Sequence, residues 1–183
     1  VTYLGSEAFG GCKQLLALDN KREINLTSLD SIPSYAFSGC TSIKSFVLSF
    51  NLQQIDTDAF KGCTSRTSVT LPESLTDIPY GAFNDTPWYN NLKWIDNIKY
   101  INNVAMESKW ESTVLNFREG TLAIADNFYH NDYSVSQVNI PSSVNYIGSG
   151  ALSCLQCATV ALPSSLKRIG ISAFAASNLT SIA

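Results

Sequence analysis

Residues 68–83, "SVTLPESLTDIPYGAF", decide the fold, because the chain writes this stretch repeatedly. Its second part, "SLTDIPYGAF" (74–83), shares a skeleton with "SLDSIPSYAF" (28–37), "NLQQIDTDAF" (51–60) and "SLKRIGISAF" (165–174). "SVNYIGSGAL" (143–152) carries the same skeleton with Leu in place of the final Phe. The central Ile recurs as Ile32, Ile55, Ile78, Ile124, Ile147 and Ile169, in steps of 23, 23, 46, 23 and 22 residues. A ring or Leu follows each one, at Phe37, Phe60, Phe83, Phe128, Leu152 and Phe174, and Phe9 is an earlier copy. The step of 46 is two periods, so a rebuilt copy lies between Phe83 and Ile124.

A period near 23 predicts a stacked-repeat architecture, in the range of leucine-rich solenoids. Within the unit, Val69 and Leu71, Val138 and Ile140, and Val160 and Leu162 are spaced by one small or polar residue and are followed by Pro. That pattern predicts a short strand stopped where no ladder donor is needed. Copies stacked at ~4.8 Å make a parallel sheet. Leu75, Ile78 and Phe83 then turn inward, and no single coil can bury its own apolar face. The expected fold is therefore a β-rich leucine-rich-repeat solenoid, a single domain over residues 1–183, with short strands stacked in one curved sheet of about seven coils. Repeats occupy about 1–83 and 121–183, and an irregular hairpin insertion occupies 84–120.

Hydrophobic residues at 45% against 15% charged fit a packed body rather than disorder. A net charge of −3 and a pI near 5.0 argue against nucleic-acid binding. No apolar run approaches the ~20 residues of a membrane span, and no basic and apolar leader opens the chain. The chain starts inside the pattern ("VTYLGSEAFGGC") and stops where another copy would start ("NLTSIA"), which reads as a fragment or a processed chain. Neither end carries a polar cap, so the expectation is either further repeats or end-to-end self-association through ladder residues near Leu4 and Ile182.

The unit AF-x-x-C-x-x-L-x-x-L-x-L-P-x-x-L-x-x-I resembles the BspA-type leucine-rich repeats of bacterial and protozoan surface proteins. Residues 36–60 and 59–83 carry it most fully, and 86–106 resemble a hairpin insertion seen in such arrays. Arg66 at an apolar ladder position, Asp132 in place of Cys, and about five extra residues within 13–31 depart from the pattern. The resemblance implies a cell-surface or secreted protein, with members that adhere to host matrix proteins. It brings no catalytic residues and no cofactor.

Cys12, Cys40, Cys63 and Cys154 each lie six residues before a strand position (Leu18, Phe46, Val69, Val160), which predicts a column of buried small side chains. Oxidation of neighbouring ladder cysteines and metal binding are the alternatives, but five cysteines make no complete disulfide framework. Cys157 falls at an inward ladder position, and the lone Cys-x-x-Cys pair lacks the second pair that zinc requires. His130 is the only histidine; with Asp126, Asn131 and Asp132 it could suggest an acid–base or metal site, although the stretch reads as a turn between coils. No nucleophile elbow, phosphate loop or metalloprotease helix is present. The chain is therefore expected to be no enzyme, with no cofactor and no metal site. Asn25, Asn84 and Asn178 open glycosylation sequons that matter only in a secreted eukaryotic protein.

Two surfaces remain as candidate binding sites. The sheet face should present Ser45, Val47, Ser49, Ser68, Thr70, Gln137, Asn139, Thr159 and Ala161, a small, polar and nearly uncharged row. The island 84–120 gathers Trp88, Tyr89, Trp94, Tyr100 and Trp110, with Asp96-Asn97 and Asn102-Asn103 as its turns. These aromatics either cover a flank of the solenoid or grip a sugar or a protein. The expected function is a non-catalytic binding module for proteins or glycans of a host matrix or cell surface. The alternative is a passive spacer with no ligand of its own.

Overall fold

Copies of the Ala-Phe pair sit in turns framed by two left-handed residues, and these turns stack one coil on the next. The structure, a computed structural model, describes residues 1–16, 24–65, 68–110, 112–129 and 134–182. Two residues before the ring or Leu, φ is positive at Glu7, Tyr35, Asp58, Gly81, Gly150 and Ser172. Two residues after it, φ is positive at Gly11, Gly39, Gly62, Asp85, Cys154 and Ala176. This geometry alternates the amide directions. The N–H groups of Ala36, Ser38 and Cys40 bond back to the carbonyls of Pro33, Tyr35 and Phe37 within the coil. Those of Tyr35, Phe37 and Gly39 donate to Thr57, Ala59 and Lys61 of the next coil, at 3.1, 2.8 and 2.7 Å.

The chain forms two compact units, Val1–Leu92 and Lys93–Ala183. The first contains β1 (Ile24–Leu26), β2 (Ser31–Ile32), β3 (Ser45–Leu48), β4 (Gln54–Ile55) and β5 (Ser68–Thr70). β1, β3 and β5 form a parallel sheet with Ile24, Phe46 and Val69 in register. A second row of strands accompanies it: β2 pairs with β4, which places Ile32 opposite Ile55. The core is a pile of rings. Phe9, Phe37, Phe60 and Phe83 stack at 5.4, 5.7 and 5.2 Å with planes within 12° of parallel. Phe46 meets Phe37 and Phe60 edge-on at 5.3 and 4.5 Å. After Phe83 comes α1 (Pro87–Asn90), a single turn capped by the Thr86 hydroxyl, which accepts from the Tyr89 N–H at 3.2 Å.

The second unit opens with β6 (Trp94–Ile95), β7 (Ile98–Ile101) and β8 (Val104–Ser108), an antiparallel meander that is the expected insertion. β9 (Val114–Asn116), β10 (Ala123–Ile124), β11 (Gln137–Asn139), β12 (Tyr146–Ile147), β13 (Thr159–Val160), β14 (Arg168–Ile169) and β15 (Ser181–Ile182) follow. β8 changes partner type across its width, running antiparallel to β7 and parallel to β10. Through it the meander joins the row β10, β12, β14, in which Ile124, Ile147 and Ile169 are in register. β9 pairs with β11, and β13 with β15. Two glycines here are dictated by space: a Cβ on Gly148 would meet the backbone N and the Oδ1 of Asp126, each at 2.5 Å, and a Cβ on Gly170 would meet the backbone of Gly148 and Ser149.

Several expectations are corrected. Leu4 is buried rather than exposed, whereas Ile182 is 52% exposed beside Ile169 and Ile171, the latter at 83%. Ser49 is buried, not on the sheet face: it lies past the end of β3, where its hydroxyl accepts from the Asn51 N–H at 3.1 Å. Cys12 is exposed, whereas Cys40, Cys63, Cys154 and Cys157 are buried. The buried thiols do more than fill space. Cys40 Sγ donates to the Phe9 carbonyl at 3.0 Å and Cys63 Sγ to the Phe37 carbonyl at 3.2 Å, each tying its coil to the preceding one. No disulfide joins these residues. Arg66, His130, Asn131, Asp132 and Leu18 lie outside the described residues.

Substitutions in the turn should act in opposite directions. Phe60→Ala empties the ring stack and should cost about 3–5 kcal/mol in urea unfolding. Ala176→Gly relieves a left-handed alanine that is exposed and should stabilise by about 1 kcal/mol. The cysteines give a pH signature. Burial pushes the Cys40 thiol up to about 11 and the Cys63 thiol up to about 12. Unfolded thiols release protons from about pH 9 that the folded chain still holds. Stability should therefore be unaffected by these groups below pH 9 and decline as pH rises through 11 to 12, read as a falling Tm. At pH 8 iodoacetamide should modify Cys12 and spare Cys40 and Cys63 until the chain unfolds.

Candidate functional site

The insertion is fixed from its turns outward. Asp96 and Asn97 are both left-handed, with φ of 48° and 68°, the requirement of a tight two-residue hairpin turn between β6 and β7. Across the meander Trp94 faces Lys99, and Lys99 faces Glu107. The Lys99 ammonium lies 2.8 Å from the Glu107 carboxylate and 4.7 Å from the Trp94 ring centre. Lys99 is buried, so the pair and the ring are its substitute for water. Lys109 approaches the same ring at 5.4 Å, and its backbone N–H donates to the Asn97 carbonyl at 2.8 Å. That bond clamps the segment after β8 to the hairpin tip.

Trp110 follows this clamp and is 71% exposed. It borders a cleft of about 490 Å³. Asp96, Asn97 and Lys109 supply the hairpin wall, and Ser112, Thr113, Val114 and Asn116 supply the β9 wall. β9 is held in turn by β11, and the Asn139 side-chain amide donates to Asn116 Oδ1 at 2.5 Å. Among the described residues the cleft therefore combines one exposed indole, one acid, one cation and several hydroxyl and amide groups, carried by the hairpin turn, the segment after β8 and β9. A second cleft of about 500 Å³ lies in the first unit, beside Phe50 (81% exposed), Asp30, Asn51, Gln53 and Ser74.

The aromatic candidates part company in the structure. Trp88 and Tyr89 belong to the first unit, and Trp94, Tyr100 and Trp110 to the second. Tyr89 is buried, and Trp88 is half-buried with its ring tilted edge-on against Phe83 at 5.0 Å. Tyr100 is buried beneath the Arg118 guanidinium at 4.2 Å, and its hydroxyl accepts from the Arg118 N–H at 3.1 Å. These three side chains hold the fold. Trp94 is 38% exposed, which leaves Trp110 as the ring most open to a ligand.

The sheet-face candidates also fall into two groups. Ser45 and Val47 are half-exposed and Thr70 is exposed, with Ser68 in register with Ser45. Gln137, Asn139 and Thr159 are exposed on β11 and β13. Gln137 donates to Asn139 at 3.2 Å and Asn139 to Asn116, so these amides already engage one another. Asp126 accepts from the Ser149 N–H at 2.6 Å and the Tyr146 hydroxyl at 3.0 Å, binding one coil to the next. Among the described residues no group of His, Cys, Asp or Glu side chains is placed to hold a metal ion. No helix among them is long and apolar enough to cross a membrane.

Sequence reasoning placed Asp96 and Asn97 only as a turn and missed Lys109, Ser112, Thr113 and Asn116. A signal was there: Leu115 stands one 23-residue period before Val138, so the rebuilt copy could be found by counting back.

A family model for the BspA type leucine rich repeat region matches the chain in 6 copies, over residues 1–109, 30–153 and 89–183. Comparison with curated proteins gave no match. Among solved structures, a leucine-rich repeat protein from Bacteroides ovatus is similar at 24% identity and a TM-score of 0.43, covering 98% of this chain and 51% of that one. A leucine rich cell surface protein from Faecalibacterium prausnitzii shares 21% identity with a TM-score of 0.38, over 98% of this chain and 41% of its own. The pneumococcal vaccine antigen PcpA shares 17% identity with a TM-score of 0.42, over 87% and 50%. The chain thus spans about half the length of these solved relatives.

Proposed function

The chain belongs to the family of BspA-type leucine-rich repeats, and from that premise we propose that it is a binding module of a cell-surface or secreted protein, adhering to proteins or glycans of a host matrix or neighbouring cell. Leucine-rich solenoids generally serve as non-catalytic binding scaffolds, and no catalytic role is assigned to this one. The observation that carries the reading is Trp110. A tryptophan 71% exposed at the rim of a cleft keeps most of its ring out of the core and within reach of a ligand. Tryptophan so placed is the residue type most enriched at binding hot spots. The spacer alternative draws on the sheet face, where Gln137, Asn139 and Asn116 hydrogen-bond one another in place of a ligand.

Ile169, Ile171 and Ile182 are exposed at 46%, 83% and 52%, beside the outermost strands β14 and β15. They support self-association of two copies through this end, since unpaired strands with apolar neighbours are templates for pairing.

Biolayer interferometry over immobilised fibronectin, fibrinogen and collagen tests the module. Saturable binding to at least one is expected, lost in Trp110→Ala and kept in Phe50→Ala. Absence of binding at tens of micromolar protein would favour the spacer. Sedimentation over a concentration series tests the end contact: the native chain should shift toward dimer with concentration, and Ile171→Lys should stay monomeric.

A further inference from the structure

The walls of the Trp110 cleft select among ligand classes. At about 490 Å³ it lies within the roughly 300–1,000 Å³ of small-ligand sites. An apolar ligand would need an apolar lining, but here Asp96, Asn97, Thr113 and Asn116 line the cavity and would lose water to it without compensation. A phosphate or a polyanion would need convergent cations. Among the described residues Lys109 is the one cation in the lining, it shares the hairpin wall with Asp96, and its ammonium rests over the Trp94 ring. A protein would fill a concave site of this size through an attached glycan sooner than through a flat epitope. What remains is a ligand without net charge, rich in hydroxyls, with one flat apolar face for the indole.

A pyranose ring has that chemistry. Its axial C–H groups make an apolar face, and its hydroxyls both donate and accept around the edge. Asp96 offers only acceptors, Thr113 can do either, and Asn116 brings an amide NH2 to donate beside an Oδ1 that already accepts one bond from Asn139. The hairpin tip is clamped through the Asn97 carbonyl and β9 is held by β11, so both walls are set before a ligand arrives. We propose that the cleft between the β6–β7 turn and β9 binds a neutral glycan, with one pyranose stacked on Trp110 and its hydroxyls bonded to Asp96, Thr113 and Asn116. This rests on the binding-module reading and gives that module its ligand class.

Isothermal titration of the whole chain with gluco-, manno- and galacto-tetraoses, and with a tetragalacturonate, tests it. Saturable binding of at least one neutral tetraose is expected, weakened about tenfold or more in Trp110→Ala, the loss of a stacking contact. Trp110→Phe keeps a stacking face and should lose less. Asp96→Asn suits the left-handed turn and should fold while weakening binding. Circular dichroism confirms folding of each variant. Failure of every tetraose while the matrix proteins still bind would overturn the glycan assignment and leave the module standing. So would tetraose binding that Trp110→Ala leaves unchanged, or tighter binding of tetragalacturonate than of any neutral sugar. Failure of the tetraoses and the matrix proteins together would overturn both readings.

Discussion

Each coil must hand its backbone hydrogen bonds to the next coil, at one fixed spacing, and the rest of the molecule follows from that. Strands of two to five residues cannot persist alone, and the turn between them is no better off. The left-handed residues on either side of Ala-Phe solve the problem by aiming every second N–H along the stack, as at Tyr35, Phe37 and Gly39. Once the backbones are locked in register, equivalent side chains have no choice but to lie on one another. The Phe9–Phe37–Phe60–Phe83 pile and the buried Ile32–Ile55 pair are consequences of that lock. The buried thiols use the same logic with a side-chain donor.

Those parts of the fold that depend on apolar period were legible in the sequence. Spacing alone located Ile55 and Phe60, and the Asn-rich dipeptides located both turns of the meander. What escaped reading depended on backbone geometry that non-glycine residues disguise. Tyr35 and Ala176 adopt left-handed φ although nothing in their chemistry announces it, and the N–H of Tyr35 is held there by the Thr57 carbonyl of the next coil. The second row of strands was hidden for a related reason, since Gln54–Ile55 is too short to alternate visibly. Cys12 shares the sequence context of Cys40 and Cys63 but not their burial, because burial belongs to the neighbouring coil and not to the residue.

The candidate site was half legible. Composition pointed to the aromatic island, but not to which of its rings faces out. Tyr89 and Tyr100 are absorbed by packing, and Trp94 by two lysines, one of them buried and paired with Glu107. Trp110 stands apart because it follows the last bond of the meander, where the chain leaves the hairpin and heads for β9. The insertion thereby turns a uniform ladder into a surface with one distinctive place on it, and β8, paired differently on its two edges, joins that place to the repeat.

Repetition also carries a hazard, which Gly148 helps to remove. Coils that look alike invite a chain to pair the wrong two, slipped by one whole unit with most side chains still matched. At the position after the ladder Ile, the next coil repeats the glycine as Gly170, whereas the others carry Pro33, Asp56, Pro79 or Ala125. None of these could stand where Gly148 does, against the backbone N and Oδ1 of Asp126 at 2.5 Å from any Cβ. The coils that carry Gly148 and Gly170 thus bear a mark, as well as a shape, that sets them apart from the coils with Pro33, Asp56 and Pro79. Steric exclusion at one atom thus keeps a Pro- or Asp-bearing coil out of the place of a glycine-bearing one, and part of the order of near-identical parts is written into their exceptions.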